Sequence, residues 1–182
     1  ETWKQSSDLR VKTENGLVTK SFLDEEGRQY LAQQHPTSFI VEMKNRLFAE
    51  MLKAWGISAG RIEDPAFDDL RDHLVLLRKN GNDWLFAAIG HESTYAKWFG
   101  WGWSKSAIGR SIGHDDVGEG YNAFTSTDYD EVLQSGSVRV DDIRGHLPDK
   151  EGTTQPVLFR RMLLGCSFPE GDHGLAVLAA VV

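Results

Sequence analysis

The chain is predicted to form a globular domain of the α+β class, with helices in its first half and short strands and loops in its second half. Apolar side chains recur at helical spacing from Phe39 onward, whereas the chain beyond residue 98 is broken by glycine and polar turns. Hydrophobic residues make up 40% of the chain, which is enough for a sizeable core. We place this domain at residues 37–182, after an N-terminal polar extension or hairpin at residues 1–36.

Charge and composition exclude several classes of partner. Lys and Arg number 20 against 27 Asp and Glu, so the net charge of −7 argues against a phosphate-binding surface and against nucleic acid as a partner. The longest apolar run, 175–182, is too short to span a membrane. Cys166 has no second cysteine to pair with. No cofactor is predicted, and the three adjacent ligands at 114–116 do not predict a metal site.

The first elements are a hairpin and a long helix. Two short runs, 9–12 and 17–20, flank Asn15-Gly16, a sequence typical of a tight hairpin turn. From Ser38 to Trp55 the apolar residues recur at spacings of one, three and four, which predicts one amphipathic helix.

A second helix is expected to start at Asp64-Pro65 and to end at Asn80-Gly81, because apolar residues from Phe67 onward form one stripe. A third helix is expected over Trp84–His91. The alternative is a strand pair that turns on Asn80-Gly81 and places residues 73–77 beside 84–86.

The rest of the chain predicts shorter elements. The glycines between 98 and 113 indicate a loop, and residues 121–124 are a possible strand. One or two helical turns are expected at 128–133 and a short strand at 138–140. Residues 157–164 are apolar enough for either a helix or a strand.

Glu92 is the residue with the clearest chemical signal. It follows an apolar segment that begins at Trp84, and a glycine-rich and Trp-rich chain comes after it. At the end of an apolar helix its carboxyl would lose water, and desolvation raises a carboxyl pKa. A glycosidase needs such a group as its proton donor. Glu92 is therefore a candidate general acid.

The run Ala87–Ser93, together with Tyr95, resembles the helix that carries the catalytic glutamate in lysozyme-like peptidoglycan hydrolases, which include lytic transglycosylases and bacterial N-acetylglucosaminidases. The resemblance implies a glycoside hydrolase or lytic transglycosylase with Glu92 as general acid/base. Its partner would be a glycan polymer of the peptidoglycan type, and the protein would be exported from a bacterium or associated with a phage. No cofactor is implied.

The same resemblance implies further site residues. Tyr121 or Asn122 would contact the substrate. A second carboxylate, if one is used, would come from Asp115, Asp116 or Glu119.

A second set of segments is similar, in order, to a poly(ADP-ribose) polymerase-like domain of the plant stress-response branch. The segments are 95–100, 104–108, 118–121 and 157–165. The family's first catalytic histidine would fall on Phe99, so this resemblance implies a catalytically inactive module that binds a protein or a nucleotide.

The three tryptophans Trp98, Trp101 and Trp103 complete the candidate site. They are a possible stacking surface for sugar or base rings, and the alternative is core packing. In an extended segment Trp101 and Trp103 would point the same way. If the tryptophans instead form contacts between chains, the protein is a structural subunit of a larger assembly. A helix over 84–92 would favour the hydrolase, and a central strand over 95–99 paired with 157–164 would favour the second module.

Overall fold

A computed structural model of the chain describes residues 9–36, 38–113 and 119–182, and for residues 119 and 120 it describes the backbone alone. Eight strands form one antiparallel sheet in the order β1-β2-β3-β6-β7-β8-β4-β5. The strands are β1 (Arg10–Glu14), β2 (Leu17–Leu23), β3 (Gln29–His35), β4 (Leu74–Asn80), β5 (Asp83–Ile89), β6 (Arg139–Pro148), β7 (Thr154–Ser167) and β8 (His173–Val181). The helices are α1 (Ser38–Glu42), α2 (Arg46–Ser58), α3 (Thr94–Phe99), α4 (Trp101–Ala107), α5 (Glu119–Thr125) and α6 (Tyr129–Ser135).

The predicted α+β class, with helices first and short strands later, is wrong. The protein is predominantly β, because five of its strands lie within residues 10–89 and the longest strands, β6 and β7, follow them. The error comes from residues 74–89. Several of these side chains are buried, and they face both sides of the sheet, so the apolar residues show no strict alternation and resemble a helical stripe.

The N-terminal strands extend this sheet. β1 and β2 pair across Asn15 and Gly16, which both have positive φ angles (50° and 77°), as a two-residue hairpin turn requires. β3 then pairs with β6, from Leu31 opposite Arg144 to His35 opposite Val140.

The long helix predicted from Ser38 to Trp55 is two helices. α1 ends at Glu42, and the side chain of Asn45 accepts a hydrogen bond from the backbone N–H of Leu47 (3.0 Å) to start α2. Asn45 is a strong N-cap residue, so a new helix begins where the apolar spacing alone indicates no interruption. Ala59, which follows the last residue of α2, caps the helix in a left-handed conformation.

The second and third predicted helices are wrong, and the alternative strand pair is correct. Asp64 caps a short 3-10 helix, Pro65–Phe67, and a second one, Arg71–His73, follows before the chain becomes extended at β4. β4 and β5 pair across Gly81, and β4 pairs on its other side with β8. The outer edge of β5 is covered by a loop, in which the Arg110 carbonyl accepts from the Phe86 N–H (3.0 Å).

Several later elements also differ from expectation. The loop predicted at 98–113 contains the end of α3 and all of α4, and residues 121–124 belong to α5 rather than to a strand. Residues 157–164 lie in the middle of β7, which resolves the helix-or-strand alternative. The helical turns expected near 128–133 are present as α6.

Helices cover both faces of the sheet. α1 and α2 lie on one face, where Met51, Met162 and Leu164 are fully buried in one cluster. α3 to α6 lie on the other face: α3, α4 and α6 pack over Leu163 and Leu175, and α5 packs over Ile143 and Phe159. Among the described residues no helix is both long enough and apolar enough to cross a membrane.

Candidate functional site

Glu92 lies in the loop between β5 and α3, not at the end of a helix. Its side chain is 45% exposed, and its carboxylate pairs with Lys97 Nζ (3.0 Å) and lies 3.5 Å from His91 Nε2. The hydrogen bond and the charge of Lys97 lower the pKa of Glu92. The expectation of a desolvated carboxyl with a raised pKa is therefore wrong, because the segment from Trp84 is a strand and Glu92 follows it into an exposed turn.

The proposed second carboxylates cannot be placed beside Glu92. Asp115 and Asp116 lie outside the described residues, as does the side chain of Glu119, whose backbone begins α5.

The three tryptophans occupy three different environments, because they lie on the helices α3 and α4 and not on an extended segment. Trp98 donates from Nε1 to the Pro148 carbonyl (2.8 Å). Trp101 is 47% exposed, and its ring is nearly perpendicular to that of His91, 6.1 Å between ring centroids. Trp103 packs into the core, 4.5 Å between ring centroids from Phe99. They do not form one stacking surface.

Trp98 and Tyr121 do meet at a cavity of about 160 Å³ on the α3–α6 face of the sheet. α3 and α5 form one wall, and the ends of β6, β7 and β8 form the other. Its lining is mainly apolar and includes five aromatic residues. The lining residues are Thr94, Tyr95, Trp98, Phe99, Tyr121, Leu147, Pro156, Val157, Leu158, Phe159, Ala179 and Val181.

The polar groups of this aromatic cavity are engaged with the protein itself. Thr94 Oγ1 donates to the Ala179 carbonyl (2.8 Å), and the Trp98 indole donates to Pro148. The hydroxyls of Tyr95 and Tyr121 hydrogen-bond to each other. Burial raises the pKa of both tyrosines, so both hydroxyls stay protonated and the cavity carries no charge from them. The site therefore offers its occupant shape and apolar contact.

A second cavity, about 10 Å³, lies between α5 and the sheet and has room for one water-sized group. Asn122 lines it, and so does Tyr95, which lines the aromatic cavity as well. Asn122 is only 6% exposed, and its Nδ2 has no hydrogen-bond partner within the described part of the chain.

Next to these cavities lies a buried ionic cluster that sequence reasoning missed. It links β2, β6 and β7 to the start of α6. Asp141 accepts from Arg161 Nε (2.7 Å) and from Arg139 Nε (2.9 Å). Asp128 pairs with Lys20 and lies 2.9 Å from Arg139 Nη2. Each charged side chain of the cluster lies beside at least one side chain of opposite charge, so these ion pairs hold β2, β6, β7 and the start of α6 together.

The sequence contains a signal for the ionic cluster and a weaker one for the aromatic cavity. The doublet Arg160-Arg161 interrupts the apolar run 157–164, and a charge inside such a run indicates a buried partner of opposite charge, which the doublet Asp141-Asp142 supplies. The cavity gives a weaker signal, because Tyr95, Phe99 and Phe159 have the composition of ordinary core residues. Only the packing shows that they leave space.

Comparisons of the chain with protein-family models, with curated proteins and with solved structures gave no match.

Proposed function

We propose that this domain binds a small apolar molecule in the aromatic cavity between α3, α5 and the ends of β6 to β8. The observation that supports this function is an unfilled space of about 160 Å³ walled by aromatic rings, whose polar groups are already paired. Ligand sites are concave and mostly apolar, and this cavity has both properties.

The size of the cavity limits the ligand. Apolar cavities of about 150 Å³ stay dry and accept benzene, so this one suits a single ring or a short branched chain. Protein interiors are otherwise close-packed, and unfilled space lowers stability. A bound apolar molecule would restore the missing contacts.

The opening of the cavity also favours an apolar ligand. Leu158 and Val181 line it and are exposed, at 37% and 79%. Exposed apolar side chains at the rim of an apolar cavity provide a continuous path from the surface to the interior.

Toluene, titrated against the ¹³C-labelled protein, tests the proposal. Saturable shifts are expected at the methyl groups of Ala179, Val157 and Val181, with a Kd of about 1 mM or lower. Ala179→Leu fills the cavity and should weaken toluene binding at least about tenfold. The matched control is Ala49→Leu, because Ala49 is exposed on α2 across the sheet and its substitution should change nothing.

Two results would contradict this function. One is the absence of saturable shifts at these methyls up to the solubility of toluene. The other is equal toluene affinity in the wild type and Ala179→Leu. A dimer in sedimentation that Ala179→Leu dissociates would instead assign the cavity to a second copy of the chain.

The peptidoglycan hydrolase and the poly(ADP-ribose) polymerase-like module stay predictions from resemblance, and so does the structural subunit. The helix over 84–92 that would favour the hydrolase is not found, because residues 84–89 form a strand. The strand over 95–99 that would favour the poly(ADP-ribose) polymerase-like module is not found either, because these residues lie in a helix. Peptidoglycan digestion by the wild type and its loss in Glu92→Gln would support the hydrolase. Binding of NAD or ADP-ribose, measured by calorimetry, would support the poly(ADP-ribose) polymerase-like module. A mass in solution above that of one chain would support the structural subunit.

A further inference from the structure

We propose that the Asn122 side-chain amide is the polar anchor of this ligand site, an inference that rests on the proposed function. The ligand would then be a neutral, single-ring or short-chain molecule with one hydrogen-bond acceptor, such as a carbonyl or ether oxygen. The acceptor oxygen would occupy the water-sized cavity and the apolar part the aromatic cavity.

The first support is the unmatched donor. Asn122 is nine-tenths buried, and its Nδ2 lacks a partner within the described ranges. A buried donor without an acceptor lowers stability, because it gives up its hydrogen bond to water and gains none in return. An acceptor atom on the ligand restores that bond, so the protein gains most from a molecule that carries one.

The second support is the position of Tyr95 between the two cavities. Tyr95 lines both, and its hydroxyl bonds to Tyr121, the residue before Asn122 on α5. In this proposal the Tyr95 side chain rotates when the ligand enters, exchanges its hydrogen bond to Tyr121 for contact with the ligand, and joins the two spaces. The ligand would then lie along the Tyr95 ring and reach Asn122 with its end.

The third support is the size and lining of the small cavity. About 10 Å³ accommodates one oxygen atom with little else around it. Apart from Asn122, Tyr95 and Tyr129, its walls are aliphatic or phenyl side chains, namely Val75, Leu77, Phe86, Ile112 and Val177. A charged group there would be desolvated without an opposite charge, so the acceptor has to be neutral.

Ethylbenzene and acetophenone form a matched pair of probes, since they differ mainly by one carbonyl. Their affinities for the wild type and for Asn122→Leu are measured by titration. The ratio of acetophenone affinity to ethylbenzene affinity should fall about tenfold or more in Asn122→Leu, because the carbonyl would then be buried without a donor. Asn82→Leu makes the same substitution on the exposed turn between β4 and β5 and should leave the ratio unchanged.

A measurement without a variant protects the test against misfolding. In the wild type, acetophenone should shift the Asn122 side-chain amide protons downfield, and ethylbenzene should not. An unchanged ratio together with unmoved amide protons would overturn the role of Asn122 while ethylbenzene binding kept the proposed function. If neither probe binds, the proposed function fails and the anchor fails with it.

Discussion

Two aspartate–arginine pairs lie side by side on the same two strands, one on each face of the sheet. Asp141 is opposite Arg161, and Asp142 is opposite Arg160. The first pair is almost fully buried, with side-chain exposures of 0% and 3%, and the second is 20% and 23% exposed. The chemistry and the strand register are the same, so burial is the main difference between them.

Burial changes how many partners each pair needs. Asp141 accepts from Arg139 as well as from Arg161, and Arg161 donates its remaining Nη1 to the Thr125 carbonyl (2.9 Å). Asp142 accepts from Arg160 and has His35 Nε2 within 2.9 Å, beside solvent. A charge without water must be neutralised and hydrogen-bonded entirely by protein, whereas a half-buried charge is still partly hydrated.

Asp141→Asn is the substitution expected to have the largest effect. It keeps the shape of the side chain and removes a charge that two buried arginines share. The free energy of unfolding should fall by about 3–5 kcal/mol, because Asp128 is then the one carboxylate left in the cluster to balance two buried arginines and Lys20. Urea denaturation at pH 7 measures the change. A loss below about 1 kcal/mol would show that water reaches the cluster.

Asp142→Asn is the matched substitution on the other face. We expect it to lower the free energy of unfolding by only about 1 kcal/mol, because solvent screens the pair and hydrates the exposed part of Arg160. The same denaturation experiment applies. Equal losses for the two variants would contradict the role assigned to burial.

The smallest expected effect is a change with acid pH in the stability difference between the wild type and Asp142→Asn. Burial alone disfavours charged Asp142, but hydrogen bonds from Arg160 and His35 and their charges outweigh it, so the pKa of Asp142 is lowered from 3.8. A lowered folded-state pKa contributes stability that is complete above the unfolded pKa and is lost as the pH falls through the folded pKa. The stability difference between wild type and Asp142→Asn should therefore shrink as the pH falls below about pH 4.

That difference is measured by denaturant melts from pH 2.5 to 7. A stability difference that stays constant down to pH 2.5 would mean that Asp142 keeps its ordinary pKa in the folded protein.

Asn-Gly turn signals in the sequence mark two hairpins, whereas the helix-start signal at Asp64-Pro65 gives only a 3-10 helix. Asn15-Gly16 marks a hairpin that exists, and Asn80-Gly81 marks another. Helical periodicity is the misleading signal, because β4 buries side chains on both faces and β5 is apolar on both faces, so the apolar pattern of the two strands has no period of two. Pairing between β3 and β6 joins residues more than a hundred positions apart, and no local pattern encodes it.

The candidate site was predictable only in part. Trp98 and Tyr121 were singled out as substrate-binding residues, and both line the aromatic cavity. Glu92 is a candidate because the segment before it is apolar. That segment is a strand, and Glu92 lies in the exposed turn after it, beside Lys97. A cavity forms where side chains from elements distant in the sequence leave space between them. The composition of the sequence does not show where this happens.

The place of β8 in the sheet has a consequence for the order of folding. β8 comes last in chain order among the eight strands described, yet it lies between β7 and β4 and, within the described residues, is the strand that joins the β4–β5 hairpin to the rest of the sheet. During synthesis the hairpin can form early, but one side of β4 stays unpaired until residues 173–181 emerge. A nascent chain stalled before that point would expose a long apolar strand edge, so chaperones are expected to bind it there.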